Sequence, residues 1–334
     1  MAFTGDILVH SPLWRQAARN AAAAGDEGFD FDPMLVRLAP VLESVDLAVC
    51  HLETPFAPDG EELSTFPLFG VPDEVADAIA DAGYERCSTA SNHTADRGMI
   101  GIEHTVTVLE AHGVAQSGMA RSPDEIEPQL VDVDGVAVSH LSYTFSYNGL
   151  VLPEGEEWRS ALIDPIRIAA DVEAARALGA EVVVVSLHWG EEKVHRPSHY
   201  QRNVAEALTA LGTIDLIVGH HAHVLQPIEQ VNGTWVVFGL GNVLSNMPTS
   251  DNWPASSQDA AVVTVEFEVA PDGAVTVERP VAHPTWVDKH AGWEALLVLD
   301  ELARDDISAG YRGQLERSLA RTVDVLGDHV LPHG

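Results

Sequence analysis

The residues most able to do chemistry gather between Ile214 and Gln226, a stretch reading Ile-Asp-Leu-Ile-Val-Gly-His-His-Ala-His-Val-Leu-Gln. A β-branched run (Ile214, Leu216, Ile217, Val218) reads as a buried strand, stops at Gly219, and is followed by His220, His221 and His223. Neutral imidazole is the commonest protein donor to transition metals. Residues two apart in an extended segment share a face, so His221 and His223 are expected to converge on one centre. A solvated histidine-rich loop is the alternative. Metal-competent residues also stand at the carboxyl ends of four other expected strands: Asp6, Glu53, Asn92 with His93, and His188. Taken singly, Asp6 reads equally as a turn cap, Glu53 as a solvated acid, Asn92 as a turn residue and His188 as a structural histidine. Together, at successive strand ends where α/β sheets bind their ligands, they point to one rim built for metal or proton transfer.

The elements that position them alternate. Helices are expected over residues 12–24 (with Ser11 as N-cap and Pro12 in the first turn), 33–44, 72–83, 101–112, 166–178 and 197–211, and two more within 291–331. Strands are expected over residues 45–50, 84–90, 114–117, 181–187 and 234–238, with a hairpin of 129–134 and 136–143 turning at Asp134-Gly135 and late alternating strands at 261–269 and 274–281. Residues 57–70, rich in Pro, Gly and acid, read as a loop. Strand and helix alternating, with antiparallel pairs added, predict a layered α/β domain with mixed sheets. No repeat or low-complexity linker divides it, so residues 1–334 are read as one domain, with the motifs in 3–242 and C-terminal strands and helices in 260–331.

An apolar content of 46% is ample for a packed core, and a net charge of −33 argues against nucleic acid or anionic membranes as partners. No run of eighteen apolar residues is present to span a membrane. Cys50 and Cys87 lack both metal-type spacing and a disulfide framework, and read as two small buried side chains. The start, Met-Ala-Phe-Thr-Gly-Asp, has no signal-like pattern, so the chain as it stands reads as cytoplasmic. A strand ending at Asp6 is short for a central position, and upstream sequence, including an export signal, is expected to be missing.

The motifs Thr4-Gly5-Asp6-Ile7-Leu8, His51-Leu52-Glu53-Thr54-Pro55, Ser91-Asn92-His93-Thr94-Ala95-Asp96-Arg97-Gly98, His188-Trp189-Gly190-Glu191-Glu192, Gly219-His220-His221-Ala222-His223-Val224-Leu225-Gln226 and Gly239-Leu240-Gly241-Asn242 occur in this order. With them the chain resembles the CapA/PgsA group of capsule and poly-γ-glutamate biosynthesis proteins, within the calcineurin-like metallophosphoesterase superfamily. The resemblance implies a four-layer α/β/β/α sandwich of the metallo-dependent phosphatase type, carrying one or two divalent transition metals (Mn, Fe or Zn). It implies Glu53 as bridging carboxylate, Asn92, His188 and His221 around one ion, and Asp6 with His223 around the other. It makes His93 a proton donor to the leaving group, oriented by Asp96, and places Asn242 near the metals. It also implies a peptide or polymer substrate, a capsule-synthesis complex and a cell-surface or exported location.

Two positions depart from the phosphoesterase pattern. Leu8 stands where those enzymes have a histidine two after the aspartate, leaving one metal site short of a ligand, and Thr94 stands where an acid follows the histidine. His10 lies on the same face if the first strand continues, either filling that gap or supporting or touching substrate. Trp189 is either a pocket wall or a partly buried core residue. His51 and His220 are expected to alternate away from the ligands in supporting roles, and His195 and His199 to face solvent. The leading expectation is a metal-dependent hydrolase of an amide or phosphoester bond in capsule, poly-γ-glutamate or related peptide metabolism. The alternatives are a metal-independent acid/base enzyme using Asp6 and His93, such as a peptide epimerase, and a non-catalytic polymer-binding subunit.

Overall fold

The computed structural model describes residues 1–331; the last three residues of the expected domain lie outside the described residues. Parallel strands buried on both faces favour apolar side chains in both directions, which the first two of four parallel segments in the N-terminal half largely supply. The four are β1 (Ala2–Leu8), β2 (Ala48–Leu52), β3 (Arg86–Ser88) and β4 (Ala115–Ser117), paired in parallel. A second sheet follows from β5 (Val131–Val133), β6 (Val136–Thr144), β7 (Val182–His188), β8 (Leu216–His220), β9 (Leu225–Val231) and β10 (Thr234–Leu240). Its strand order is β5-β6-β7-β8-β10-β9, with antiparallel pairs at the two edges only.

The chain then returns to the first sheet. β11 (Leu244–Ser245) pairs with the end of β1, β12 (Asp259–Thr264) lies antiparallel to it, and a small hairpin of β13 (Phe267–Val269) and β14 (Val275–Val277) leads to β15 (Val281–Asp288) and β16 (Glu294–Leu297). The main path of that sheet is β16-β15-β12-β1-β2-β3-β4. Between the sheets Phe3, Val49, Val138, Val184, Val218, Val237 and Val263 form one apolar core. Outside the first sheet, Ile7, Cys50 and Leu52 pack with Leu13, Met34, Ile79 and Leu109 of its covering helices. Outside the second, Val183, Val185 and Ile217 pack with Ile168, Val172, Val204 and Leu208 of the helices Pro165–Leu178 and His199–Thr209. Helix, sheet, sheet, helix is the layer order that the family resemblance implies.

Several boundaries differ, each for a local reason. The expected helix over 33–44 is three short pieces, Asp32–Leu35, Val36–Leu38 and Ala39–Leu42, because Pro40 removes an N–H and clashes with the preceding turn. Ser11 is the first residue of the helix Ser11–Ala24 instead of its cap; His10 holds the cap position without a side-chain bond. The strand expected over 261–269 breaks after Thr264, the one over 274–281 is replaced by β14 and β15, and β9 and β16 were not expected as strands. Among the described residues no helix is long and apolar enough to cross a membrane.

The cysteine reading needs correction. Both side chains are buried, but Cys50 and Cys87 are directly paired across β2 and β3 with their Cα atoms 4.4 Å apart, and they form a disulfide. Sequence spacing could not show this, because the pairing is created by strand register. Denatured, unreduced protein is therefore expected to offer no thiol to iodoacetamide. Replacing both cysteines by alanine is expected to lower stability in a urea titration by about 3–4 kcal/mol, from the loop entropy of a cross-link spanning 37 residues. Two alkylated thiols in unreduced protein would refute the pairing.

Candidate metal centre

Strand periodicity builds the site. Along β7, Val182 and Val184 face the inter-sheet core, and Ser186 and His188 continue that face toward the carboxyl end. Along β8, Leu216 and Val218 lead in the same way to His220, and in the first sheet Leu47 and Val49 lead to His51 and Glu53. The layer between the sheets is thus apolar at one end and polar at the other. On β1 the register against β2 slips by one residue between Phe3 and Asp6, a bulge that lets both side chains enter this layer despite their odd spacing.

Glu53 lies at the middle, completely buried, with no hydrogen-bond partner for either carboxylate oxygen. His188 Nε2 is 4.0 Å from its Oε1 and 3.0 Å from Asn92 Oδ1, while His223 Nε2 is 3.7 Å from the same Oε1. Ligand atoms of Glu53, His188 and His221 lie within 4.8 Å of one another, and so do those of Asp6, Glu53 and His223. Glu53 belongs to both sets. Asp6 accepts the His221 backbone N–H at 3.2 Å and lies 3.3 Å from His223 Nδ1 and 3.4 Å from His220 Nδ1.

The supporting contacts fix the imidazoles. His51 lies 2.8 Å through Nδ1 from Ser88 Oγ and 2.9 Å through Nε2 from His188 Nδ1, which leaves His188 Nε2 facing Glu53. His220 stacks on His51 with ring centroids 4.0 Å apart. Asn242 Oδ1 accepts from His223 Nδ1 at 2.8 Å, and its amide N–H groups are tied to the His223 and Ser257 carbonyls. The Cys50–Cys87 bridge lies one residue before the His51/Ser88 pair on the same two strands.

Burial works against charge here, and neighbours decide where charge survives. It pushes His51 and His188 well below the ordinary histidine range and His221 down to about 3, with adjacent imidazoles adding to the effect. Burial raises Glu53 well above a normal carboxylate, with Asp6 contributing and His223 opposing. Asp6 is held well below its usual value: burial, which would raise it, is outweighed by the His220 and His223 imidazoles facing its oxygens. His223, although buried, is pulled up to about 10 by Glu53 and Asp6. Two buried carboxylates with unpartnered oxygens, set among imidazoles of which burial keeps His51, His188 and His221 neutral, make a donor set that fits one or two divalent cations.

The site residues named from sequence fall in different places. His93 and Asp96 form a pair beside the cluster, with His93 Nδ1 2.7 Å from Asp96 Oδ2, which also accepts the Phe69 N–H at 2.7 Å. Thr94, where an acid was missed, closes its own turn by accepting from Ser91 N and donating to Thr89 O. His10 does not extend the first strand toward the cluster: β1 ends at Leu8, and His10 Nδ1 is occupied at 3.1 Å by the Leu8 carbonyl. Trp189 is fully buried, donating to the Phe238 carbonyl at 3.0 Å, and lines the outer core instead of a pocket. His51, expected to turn away, shares Glu53's face. His195 bridges the Leu225 carbonyl and Ser256 Oγ instead of facing solvent, whereas His199 is exposed.

His221 and His223 do converge, by a different route from the one expected. Their backbones are not extended but left-handed, with φ of 83° and 55°, a strained state for residues bearing a Cβ. Sequence reasoning also missed Arg86 and His140, which fill the inter-sheet layer below the cluster, joined at 3.2 Å through His140 Nδ1. Polar residues at positions 140 and 142, following Val136 and Val138 at a spacing of two, were the available signal.

Residues 1–247 match the family model described as bacterial capsule synthesis protein PGA_cap. The chain is 26% identical over 283 residues to the PGA biosynthesis protein CapA of Bacillus subtilis, an alignment covering 81% of this chain and 70% of that protein. It is 27% identical over 194 residues to the capsule biosynthesis protein CapA of Bacillus anthracis, covering 57% of this chain and 46%, less than half, of that protein. Among solved structures, the calcineurin-like phosphoesterase YfkN of Bacillus subtilis is similar with a TM-score of 0.48 and 15% identity, covering 97% of each chain.

A divalent cation bound by Glu53 and His223 has to displace the proton that His223 keeps up to about pH 10 in the cation-free protein. Its apparent affinity is therefore expected to rise roughly tenfold per pH unit between about pH 6.5 and 9. Titrating chelator-stripped protein with Mn²⁺ at three pH values measures this slope; affinity independent of pH would remove His223 from the ligand set.

Proposed function

The chain belongs to the bacterial capsule synthesis protein family PGA_cap, and on that premise we propose that it is a metal-dependent hydrolase of an amide or phosphoester bond in capsule, poly-γ-glutamate or related peptide metabolism. The observation that carries this reading is Glu53, a fully buried carboxylate without a hydrogen bond, set between His188, His221, His223 and Asp6. In the proposal, Asn92, His188 and His221 would hold one ion and Asp6 and His223 the other, with Glu53 shared between the two sets. A bound Mn, Fe or Zn would supply Lewis acidity and an activated water at neutral pH.

The protein's own groups do the rest. Asp96 accepts from His93 Nδ1, setting the tautomer and orientation of the ring, so that His93 Nε2 is the atom from which a leaving amine or alkoxide takes its proton. Phe69 fixes both members of the pair, through its N–H to Asp96 and its ring packed edge-on to His93 with centroids 4.7 Å apart. His51 and Asn242 keep His188 and His223 turned toward Glu53. The substrate is a peptide or polymer, and the setting a capsule-synthesis complex at the cell surface.

Because Asp96 orients His93 without any metal, metal-free acid/base chemistry that pairs His93 with Asp6, such as epimerisation of a peptide, is the second reading. Chelation separates the two. Hydrolysis of γ-glutamyl amides or aryl phosphates is expected to vanish on metal removal and return with Mn²⁺, and Glu53→Gln is expected to abolish it. His93→Ala is expected to lower kcat by about 10²–10⁴ with metal content unchanged. Activity that survives exhaustive chelation sinks the hydrolase reading.

A further inference from the structure

Leu8 leaves one side of the centre short of a donor, and among the described residues His10 joins none of the close ligand sets. We propose that Glu192 does, as a metal ligand reaching His221 and His223 from the solvent side; the inference rests on the metal-centre reading above. A carboxylate oxygen of Glu192 and ligand atoms of both histidines all lie within 4.8 Å of one another, a set as close as those around Glu53. The segment carrying Glu192 is anchored on each side. Trp189, three residues before it, is locked in the outer core, and the Lys193 N–H donates at 2.8 Å to the Ala222 carbonyl, between the two histidines. Gly190 is left-handed with φ of 101° and packs against the Gln201 side chain, where a Cβ would collide. The backbone therefore turns at the point that directs residue 192 over the His221/His223 turn.

The side chain is uncommitted. Among the described residues Glu192 makes no hydrogen bond or ion pair, while the neighbouring cation, Lys193, is turned over the Trp253 ring at 4.2 Å. A third carboxylate beside Asp6 and Glu53 also balances the charge of a second divalent ion better than two do.

Equilibrium titration of the chelator-stripped full chain with Mn²⁺, read by calorimetry and by plasma mass spectrometry after desalting, tests this without an activity assay. Wild type is expected to bind two ions. Glu192→Gln is expected to bind one, or the second at least tenfold more weakly, with an unchanged circular dichroism spectrum because the side chain is exposed. Glu191→Gln, which removes the same charge one residue away, is expected to behave as wild type. If Glu192→Gln and wild type load identically, this inference falls and the metal centre stands. If wild type binds no metal, both fall. If Glu191→Gln weakens binding as much as Glu192→Gln, the effect is general charge and ligation is overturned.

Discussion

A carboxylate buried without a hydrogen bond is the constraint from which the rest of the centre follows. Removing an ionised group from water costs several kcal/mol unless an opposite charge or donors replace the lost hydration. Glu53 has neither oxygen satisfied, and Asp6, also buried, has one oxygen unpartnered. Around them stand imidazoles that burial keeps mostly neutral, and the one that stays protonated, His223, does so because both carboxylates face it. A proton at this point and a metal cation answer the same electrostatic demand. The cluster thus fits a cation, and its cation-free form is tolerable because a histidine supplies the charge.

Placing so many polar groups together requires rigid support at close range, and the support is backbone geometry. Gly5 approaches the Gly241 carbonyl and Gly219 the Phe238 carbonyl so closely that a Cβ at either position would collide. These contacts bring the ends of β1, β8 and β10 together where the ligands emerge. The left-handed residues His221 and His223 are held by packing and by Asn242, the arrangement expected when a strained backbone is kept for the direction it gives a side chain. Beneath them, the Cys50–Cys87 bridge and the His51/Ser88 contact fix β2 against β3, so that His51 holds His188 in one orientation.

Much of the scaffold was legible because period-two and period-3.6 patterns are local. The order of strands and helices, the Asp134-Gly135 hairpin and the ends of the helices Ser11–Ala24 and Pro165–Leu178 at Gly25 and Gly179 follow from nearest-neighbour chemistry. The segments misread are those whose state depends on distant partners. β9 becomes a strand by pairing with β10, and β16 by pairing with β15, and neither carries a pattern strong enough to declare itself alone. The helix expected over 33–44 failed for a reason that was visible in Pro40.

The amino-acid sequence by itself determined which residue types stand at the strand ends: Asp6, Glu53, Asn92, His93, His188, His221 and His223, residue types suited to holding a cation and moving a proton. It also determined the layered α/β class, because alternation of apolar and polar residues is a local property of the chain. Only the tertiary structure decided which of these groups meet. The bulge on β1 turns Asp6 inward, strand register joins Cys50 to Cys87, and the left-handed turn aims His221 and His223. The loop after β7 returns Glu192 to that turn, while Trp189, in the same motif, goes to the core. The physical reason is that identity and periodicity act over a few residues. Register, bulges and close backbone approach are instead settled by packing two sheets and two helical layers at once.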